Sequence, residues 1–142
     1  ALEPGDLDAV IAIEESSYPF PWTRGIFAEC LRVAYGCYGV QLGAELAGYC
    51  IHNWAAGESH LLNLCIARPW RERGLAGLLL DHAIDHARRQ GCNAMLLEVR
   101  PSNPAAQAMY RHRGFQLIGT RPDYYRAEQG REDALVMRLS LE

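Results

Sequence analysis

Much of what would make this chain easy to place is missing from it. Its 142 residues hold no G-x-G-x-x-G fingerprint and no G-x-x-x-x-G-K-[ST] loop, which excludes the usual glycine-rich cradles for dinucleotides and nucleoside triphosphates. There is no C-x-x-C pair. The five cysteines (Cys30, Cys37, Cys50, Cys65 and Cys92) are odd in number and scattered. That pattern fits reduced thiols serving as small core residues better than disulfides or a zinc cage. No apolar run approaches the roughly 20 residues of a membrane helix, and no charged-then-apolar leader opens the sequence, so a soluble, cytoplasmic protein without membrane contact is expected. Internal repeats, linkers and low-complexity segments are also absent, and with 49% hydrophobic residues residues 1–142 are expected to form one domain around a single core. Neither sign of charge dominates: Lys+Arg 14 against Asp+Glu 17 leaves a formal charge of -3, which argues against nucleic-acid binding and tolerates a basic substrate.

What is present reads as alternating helices and strands. Asp6 is placed to cap a helix over residues 7–16, with Leu7, Val10, Ile11 and Ile13 or Glu14 near the helical period. The aromatic, proline-broken "YPFPW" stops it. Thr23 caps a second helix carrying Ile26, Phe27, Cys30 and Leu31, with Trp22 positioned to staple onto Phe27 and Gly36 to close the helix. "CYGVQL", "LAGYCIHNW" and "HLLNLCIA" read as three consecutive strands, an antiparallel meander. From Gly74, residues Leu75, Leu78, Leu79, Ala83 and Ala87 mark a helix of about four turns, ended by Gly91 behind Arg88 and Arg89. The nearly all-apolar "AMLLEV" that follows reads as a buried strand reached by a parallel crossover. Asn103 caps a short helix with Pro104 in its first position, Gly114 ends it, and "FQLIGT" and "DALVMRLSL" supply two closing strands.

The stretch "PWRERGLAG" puts Arg71, Arg73 and Gly74 at the strand-to-helix turn. The first N–H groups of the helix and the positive end of its dipole would make an anion site there; a solvated turn is an equally ordinary reading. "RERGLA" also matches the [QR]-x-x-G-x-[GA] signature, and "LEVRPSNPAAQAMYRHRGF" follows at the expected interval. On these motifs and on its element order the chain resembles the GNAT acyltransferase superfamily. "YPFPW" and the closing "YYRAEQGREDALVM" resemble its bacterial ribosomal-protein-alanine acetyltransferases, so that the likeness runs from about Leu7 to Met137.

The resemblance implies a mixed α/β fold with a central, mostly antiparallel sheet, one splayed parallel strand pair and helices on both faces. It implies acetyl-coenzyme A as cosubstrate with no metal, its diphosphate held at Arg71, Arg73, Gly74, Leu75 and Ala76, its pantetheine arm and thioester carbonyl on the main chain of Leu64, Cys65 and Ile66, and a further contact at Asn103. Ala76 stands where many relatives have a second glycine, and only residues 1–4 are left to form the superfamily's first strand.

For the chemistry, the resemblance makes Glu98 the general base and Tyr110 the general acid. Independently, a carboxylate in the apolar "LLEVR" asks for a partner, with Arg100 or an outward orientation as alternatives. An aromatic in "AAQAMY" is otherwise a core residue, and a phenol near pKa 10 gives up its proton to a thiolate near 8.5 only uphill, so a hydrogen bond to the departing sulfur is the larger expected effect. Cys65 is a lesser candidate, as a nucleophile in a ping-pong route. His82 and His86, four apart, lack a third ligand for zinc, and His52, His60 and His112 belong to no recognisable constellation. Phe20 and Trp22, with Tyr124, Tyr125 and "GRED", are expected to wall a slot for the acceptor. The implied acceptor is the N-terminal alanine of small-subunit ribosomal protein eighteen. Lysine side chains, small amines and a non-catalytic acyl-coenzyme sensor remain as alternatives.

Overall fold

The computed structural model describes residues 1–127 and 130–142; Glu128 and Gln129, inside the closing motif, lie outside the described residues. In chain order the elements are α1 (Leu7–Ser17), α2 (Arg24–Arg32), β1 (Gly36–Leu42), β2 (Glu45–Ala55), β3 (Glu58–Ile66), α3 (Leu75–Arg89), β4 (Ala94–Val99), α4 (Pro104–His112), β5 (Gln116–Arg126) and β6 (Arg131–Ser140). The strands form one six-stranded sheet in the order β1-β2-β3-β4-β6-β5, parallel only at β3–β4 among the registered pairs. The fold is the expected mixed α/β one. Two compact units divide the chain: residues Ala1–Asn53 with Leu62–His86, and Trp54–Leu61 with Ala87–Glu142.

In the first unit the side-chain alternation of the strands decides what lies on each face. Cys37, Tyr49 and Ile51 join Val10 and Ile13 of α1 and Phe27 and Cys30 of α2 in one apolar cluster. Their neighbours Tyr38 and His52 point the other way, where Tyr38 meets His82 and His86 of α3 at ring separations of 4.4 and 5.6 Å. Helices therefore cover both faces here. The staple is present, Trp22 lying 5.3 Å from Phe27, which in turn meets Tyr49 edge-on at 5.7 Å. Thr23 caps α2 through the Ile26 N–H, as expected.

Three local expectations fail. Asp6 sits before α1, but its carboxylate accepts from the Glu3 N–H at 2.8 Å in a preceding 3-10 turn and does not cap the helix. The left-handed residue after α2 is Ala34 (φ 59), not Gly36. Gly36 instead opens β1, and a Cβ there would fall 2.4 Å from Nε2 of His52, so glycine is required by packing. No strand precedes α1 among the described residues; a single bond from the Leu2 N–H to the Cys37 carbonyl, 2.8 Å, ties the N-terminal segment to β1.

In the second unit β3 runs parallel to β4 from Glu58↔Ala94 to Leu61↔Leu97. There the ladder stops, although β3 continues to Ile66 and β4 to Val99; this is the splay the resemblance implies. On its other side β4 is paired with β6 along its whole length. Gly91 (φ 81) ends α3, and the Cys92 N–H returns to the Ala87 carbonyl at 3.0 Å, a glycine-terminated helix end. Asn103 caps α4 through the Ala106 N–H at 3.2 Å. Strand β5 extends well past "FQLIGT" to Arg126, so Tyr124 and Tyr125 lie on a strand and not in a loop. The five cysteines are all buried and unpaired.

Candidate active site

Glu98 lies on β4 one residue past the last rung of the parallel ladder. His60 on β3 is opposite Leu96, so alternation puts His60, Leu96 and Glu98 on the same face. The Glu98 side chain is only 7% exposed, and its Oε2 is hydrogen-bonded to Nε2 of His60. Its Oε1 faces Nε of Arg121, on β5, at 3.5 Å. The burial of a carboxylate in an apolar strand is thus compensated by two basic groups. Arg100, the partner suggested by sequence, is committed elsewhere: it binds Glu132 at 3.0 Å and lies 4.4 Å over the Tyr125 ring. Glu132, from "GRED", also accepts from the Ser102 N–H and hydroxyl, and these donors hold its carboxyl below the usual carboxylate range.

Tyr124 and Tyr125 join this group. Tyr124 lies under the Arg121 guanidinium at 5.6 Å, and its ring meets that of Tyr125 edge-on at 4.9 Å. Burial, and to a lesser degree the charge of Glu98, push both phenols upward, so they stay protonated at neutral pH and can donate hydrogen bonds. Tyr110, on α4, is buried with its ring against Phe115 at 5.7 Å.

In the first unit, the turn from Arg71 to Gly74 has a conformation that its residue types alone do not dictate. Glu72 (φ 63) and Gly74 (φ 79) are both left-handed, and alternation of hands along a turn points successive N–H groups toward one concavity. Nothing lies within 4 Å of a Cβ built on Gly74, so its requirement is conformational. The Gly74 carbonyl accepts the first helical bond, from Leu78 at 3.1 Å, so the N–H groups of Leu75 and Ala76 precede the intrahelical ladder. Arg73 packs its guanidinium 5.1 Å over Trp70. Arg71 braces the turn: it donates from Nε to the Ile66 carbonyl at 2.9 Å and from Nη2 to the Ser17 hydroxyl at 3.0 Å. Along β3, the Leu64 carbonyl accepts from the Tyr18 hydroxyl at 3.4 Å, and Cys65 is buried.

The "YPFPW" segment is anchored by a residue to which the sequence reading gave no role beyond helical periodicity. Glu14 of α1, 2% exposed, accepts from the Trp22 N–H at 2.8 Å, from Asn63 Nδ2 at 3.0 Å and from the Tyr49 hydroxyl. Trp22 is fixed by this bond and by Phe27, while Phe20 is 40% exposed and stands at the surface.

Two of the histidines set aside on sequence prove to be partnered. His60 is bound to Glu98, and the fully buried His52 lies 3.2 Å from Nδ1 of His86. Burial, with His86 beside it, pushes His52 down to about 4. Among the described residues no cluster of three or more His, Cys, Asp or Glu side chains could hold a metal ion. The only signal for His60 was its place in the strand before the "RERGLA" turn, and the register with β4 that gives it meaning is a tertiary fact.

Residues 7–115 match the Acetyltransferase (GNAT) family. The chain is 34% identical over 141 residues to the [ribosomal protein bS18]-alanine N-acetyltransferase of Escherichia coli K12, covering 99% of this chain and 95% of that protein. It is 29% identical over 137 residues to the enzyme of the same name from Haemophilus ducreyi, covering 96% of this chain and 94% of that protein. In three dimensions it superposes on the crystal structure of the Escherichia coli ribosomal-protein-S18-alanine N-acetyltransferase with a TM-score of 0.93, covering 100% of this chain and 92% of that one at 34% identity. The signature turn, the splayed strand pair and these matches agree: the chain belongs to the GNAT family of acetyltransferases.

Proposed function

We propose that the protein transfers the acetyl group of acetyl-coenzyme A to the N-terminal α-amine of a polypeptide beginning with alanine, that of small-subunit ribosomal protein eighteen, in the cytoplasm. The observation that carries the chemistry is the buried Glu98 carboxylate, oriented by His60 and Arg121 beside Tyr124 and Tyr125. The named relatives support the acceptor. All of residues 1–142 are taken as one acetyltransferase domain, because β2, β3 and α3 each run from one compact unit into the other.

In this reading the diphosphate lies on the N–H groups of Gly74, Leu75 and Ala76 with Arg73 nearby, while Arg71 holds the turn to the end of β3. Main-chain groups of Leu64, Cys65 and Ile66 hold the pantetheine arm and the thioester carbonyl, and Asn103 adds a coenzyme contact. Glu98 takes one proton from the acceptor ammonium, and the neutral amine attacks the carbonyl carbon. The new C–N bond forms, the C–S bond breaks, and the Tyr110 hydroxyl donates a hydrogen bond to the departing sulfur. Phe20, Trp22, Tyr124 and Tyr125 hold the acceptor chain. An α-amine suits such a base: at a pKa of about 8 it is neutral near pH 7 two to three decades more often than a lysine at about 10.4.

Intact-mass analysis tests the reading, after incubation with acetyl-coenzyme A and two peptides: one with a free N-terminal alanine and no lysine, one N-terminally blocked with an internal lysine. The protein's own sequence has no lysine, so side-chain autoacetylation does not confuse the result. One acetyl group on the first peptide alone is expected. Acetylation of the second alone would keep the enzyme and overturn the acceptor; modification of neither, with coenzyme bound, would point to small amines or a sensor.

A further inference from the structure

A base that accepts a proton on every turnover has to return it to solvent, and Glu98 is poorly placed to do so itself. Its side chain is 7% exposed, whereas that of its partner His60 is 34% exposed. The groups that face Glu98 from the neighbouring strands are few in chemistry. Arg121, from β5, is a guanidinium that stays protonated and has no site to receive a proton. Tyr124 and Tyr125, also on β5, are kept in their neutral phenol form by burial and, to a lesser degree, by the Glu98 charge. Arg100 lies over Tyr125 and is neutralised by Glu132 of β6. His60 is the group in this set whose side-chain type exchanges a proton between pH 5 and 8.

The geometry points to a proton relay: we propose that His60 accepts through Nε2 the proton that Glu98 has taken from the acceptor amine and releases it to water from its exposed face. The step balances without any further reactant. The ammonium loses one proton to Glu98, the carboxylic acid passes one proton to Nε2 of the neutral imidazole in its Nδ1–H form, the imidazolium gives its Nδ1 proton to solvent, and exchange with water returns the remaining ring proton from Nε2 to Nδ1, which restores carboxylate and imidazole for the next cycle. Because the Glu98–His60 bond spans β3 and β4 at the last rungs of their ladder, His60 also fixes which carboxylate oxygen is turned toward the ladder. It acts through Glu98 without needing to touch the substrate, and is therefore a positioning and relay residue. This inference rests on Glu98 being the base.

The test uses the full chain with acetyl-coenzyme A and the lysine-free alanine peptide, comparing wild type, His60→Gln, His60→Ala and Glu98→Gln. For His60→Gln, kcat is expected to fall about tenfold with the peptide KM and coenzyme affinity nearly unchanged. The pH profile of kcat should change shape on its acid side. Added imidazole should restore kcat of His60→Ala severalfold and do nothing for Glu98→Gln. If both His60 variants keep the wild-type kcat and pH profile while Glu98→Gln is inactive, the relay is overturned and the base assignment stands. If the His60 variants lose activity equally at all pH values, with a lowered unfolding midpoint and no imidazole rescue, the residue is structural and the relay is again overturned. If Glu98→Gln itself retains wild-type turnover, the base assignment beneath the relay falls, whatever the His60 variants do.

Discussion

Glu14 and Glu98 are two carboxylates withdrawn from water, and the way each is satisfied separates structure from chemistry. Glu14, 2% exposed on α1, is held by a tyrosine hydroxyl, an asparagine amide and a backbone N–H. None of these donors changes its protonation near neutral pH; burial and the neighbouring Glu14 push the Tyr49 phenol far up. Glu98, with a side chain 7% exposed on β4, is held by an imidazole and a guanidinium. One partner can take a proton and the other fixes the charge. Burial is common to both carboxylates; what differs is the chemical type of the partners.

The sharpest way to break this contrast is to remove each charge and read both stability and turnover. Glu98→Gln is expected to lower turnover by roughly a hundredfold or more, most strongly at low pH, with coenzyme binding nearly intact; thiol release and a coenzyme titration check it. Retention of wild-type rates across pH would make Glu98 as structural as Glu14. Glu14→Ala should do the opposite. It strands a buried hydroxyl and the amide donors of Asn63 and Trp22, and should cost about 3 kcal/mol of stability, read as a lowered urea midpoint. An unchanged midpoint would show that the anchor of "YPFPW" lies elsewhere.

Tyr110→Phe, on the catalytic side of the contrast, is expected to slow the step in which sulfur leaves by about tenfold, the worth of one hydrogen bond of roughly 1.4 kcal/mol. Pre-steady-state thiol release measures it, and equal rates would return Tyr110 to the core role its contact with Phe115 already gives it. The smallest effect on turnover concerns His52, a histidine beside other histidines where His60 sits beside a carboxylate. Its folded-state value is depressed to about 4, so on acidification the unfolded chain binds the proton first. The stability this site contributes is complete above about pH 6.5 and is lost as pH falls from there toward about 4. Unfolding free energies of wild type and His52→Asn across that window should converge at the acid end; parallel curves would show that His52 is not the group titrating.

Much of the fold was legible because its signals are local. The Thr23 cap and Trp22 staple, the Asn103–Pro104 start, the Gly91 stop and the two-fold alternation of the strands are each set by a few adjacent residues, and each is found as expected. The misread positions are those where another contact or conformation prevailed over the expected one. Asp6 turned to Glu3 and not to its helix, Ala34 took the left-handed position expected of Gly36, and Gly36 was reserved for the space beside His52.

The same division runs through the site. By itself the sequence determined the element order, the glycine-bearing turn before α3, the choice of a carboxylate for an apolar strand and the family that these motifs indicate, because turn conformation, helix capping and burial preference are properties of short segments. Only the tertiary structure decided which oxygen of Glu98 meets His60, that Arg121 and not Arg100 faces it, that Arg71 is a brace, and that Glu14 holds Trp22. Those pairings depend on strand register and on partners as far as 54 residues apart in sequence, separations over which a side chain's local pattern carries no information about what it will touch.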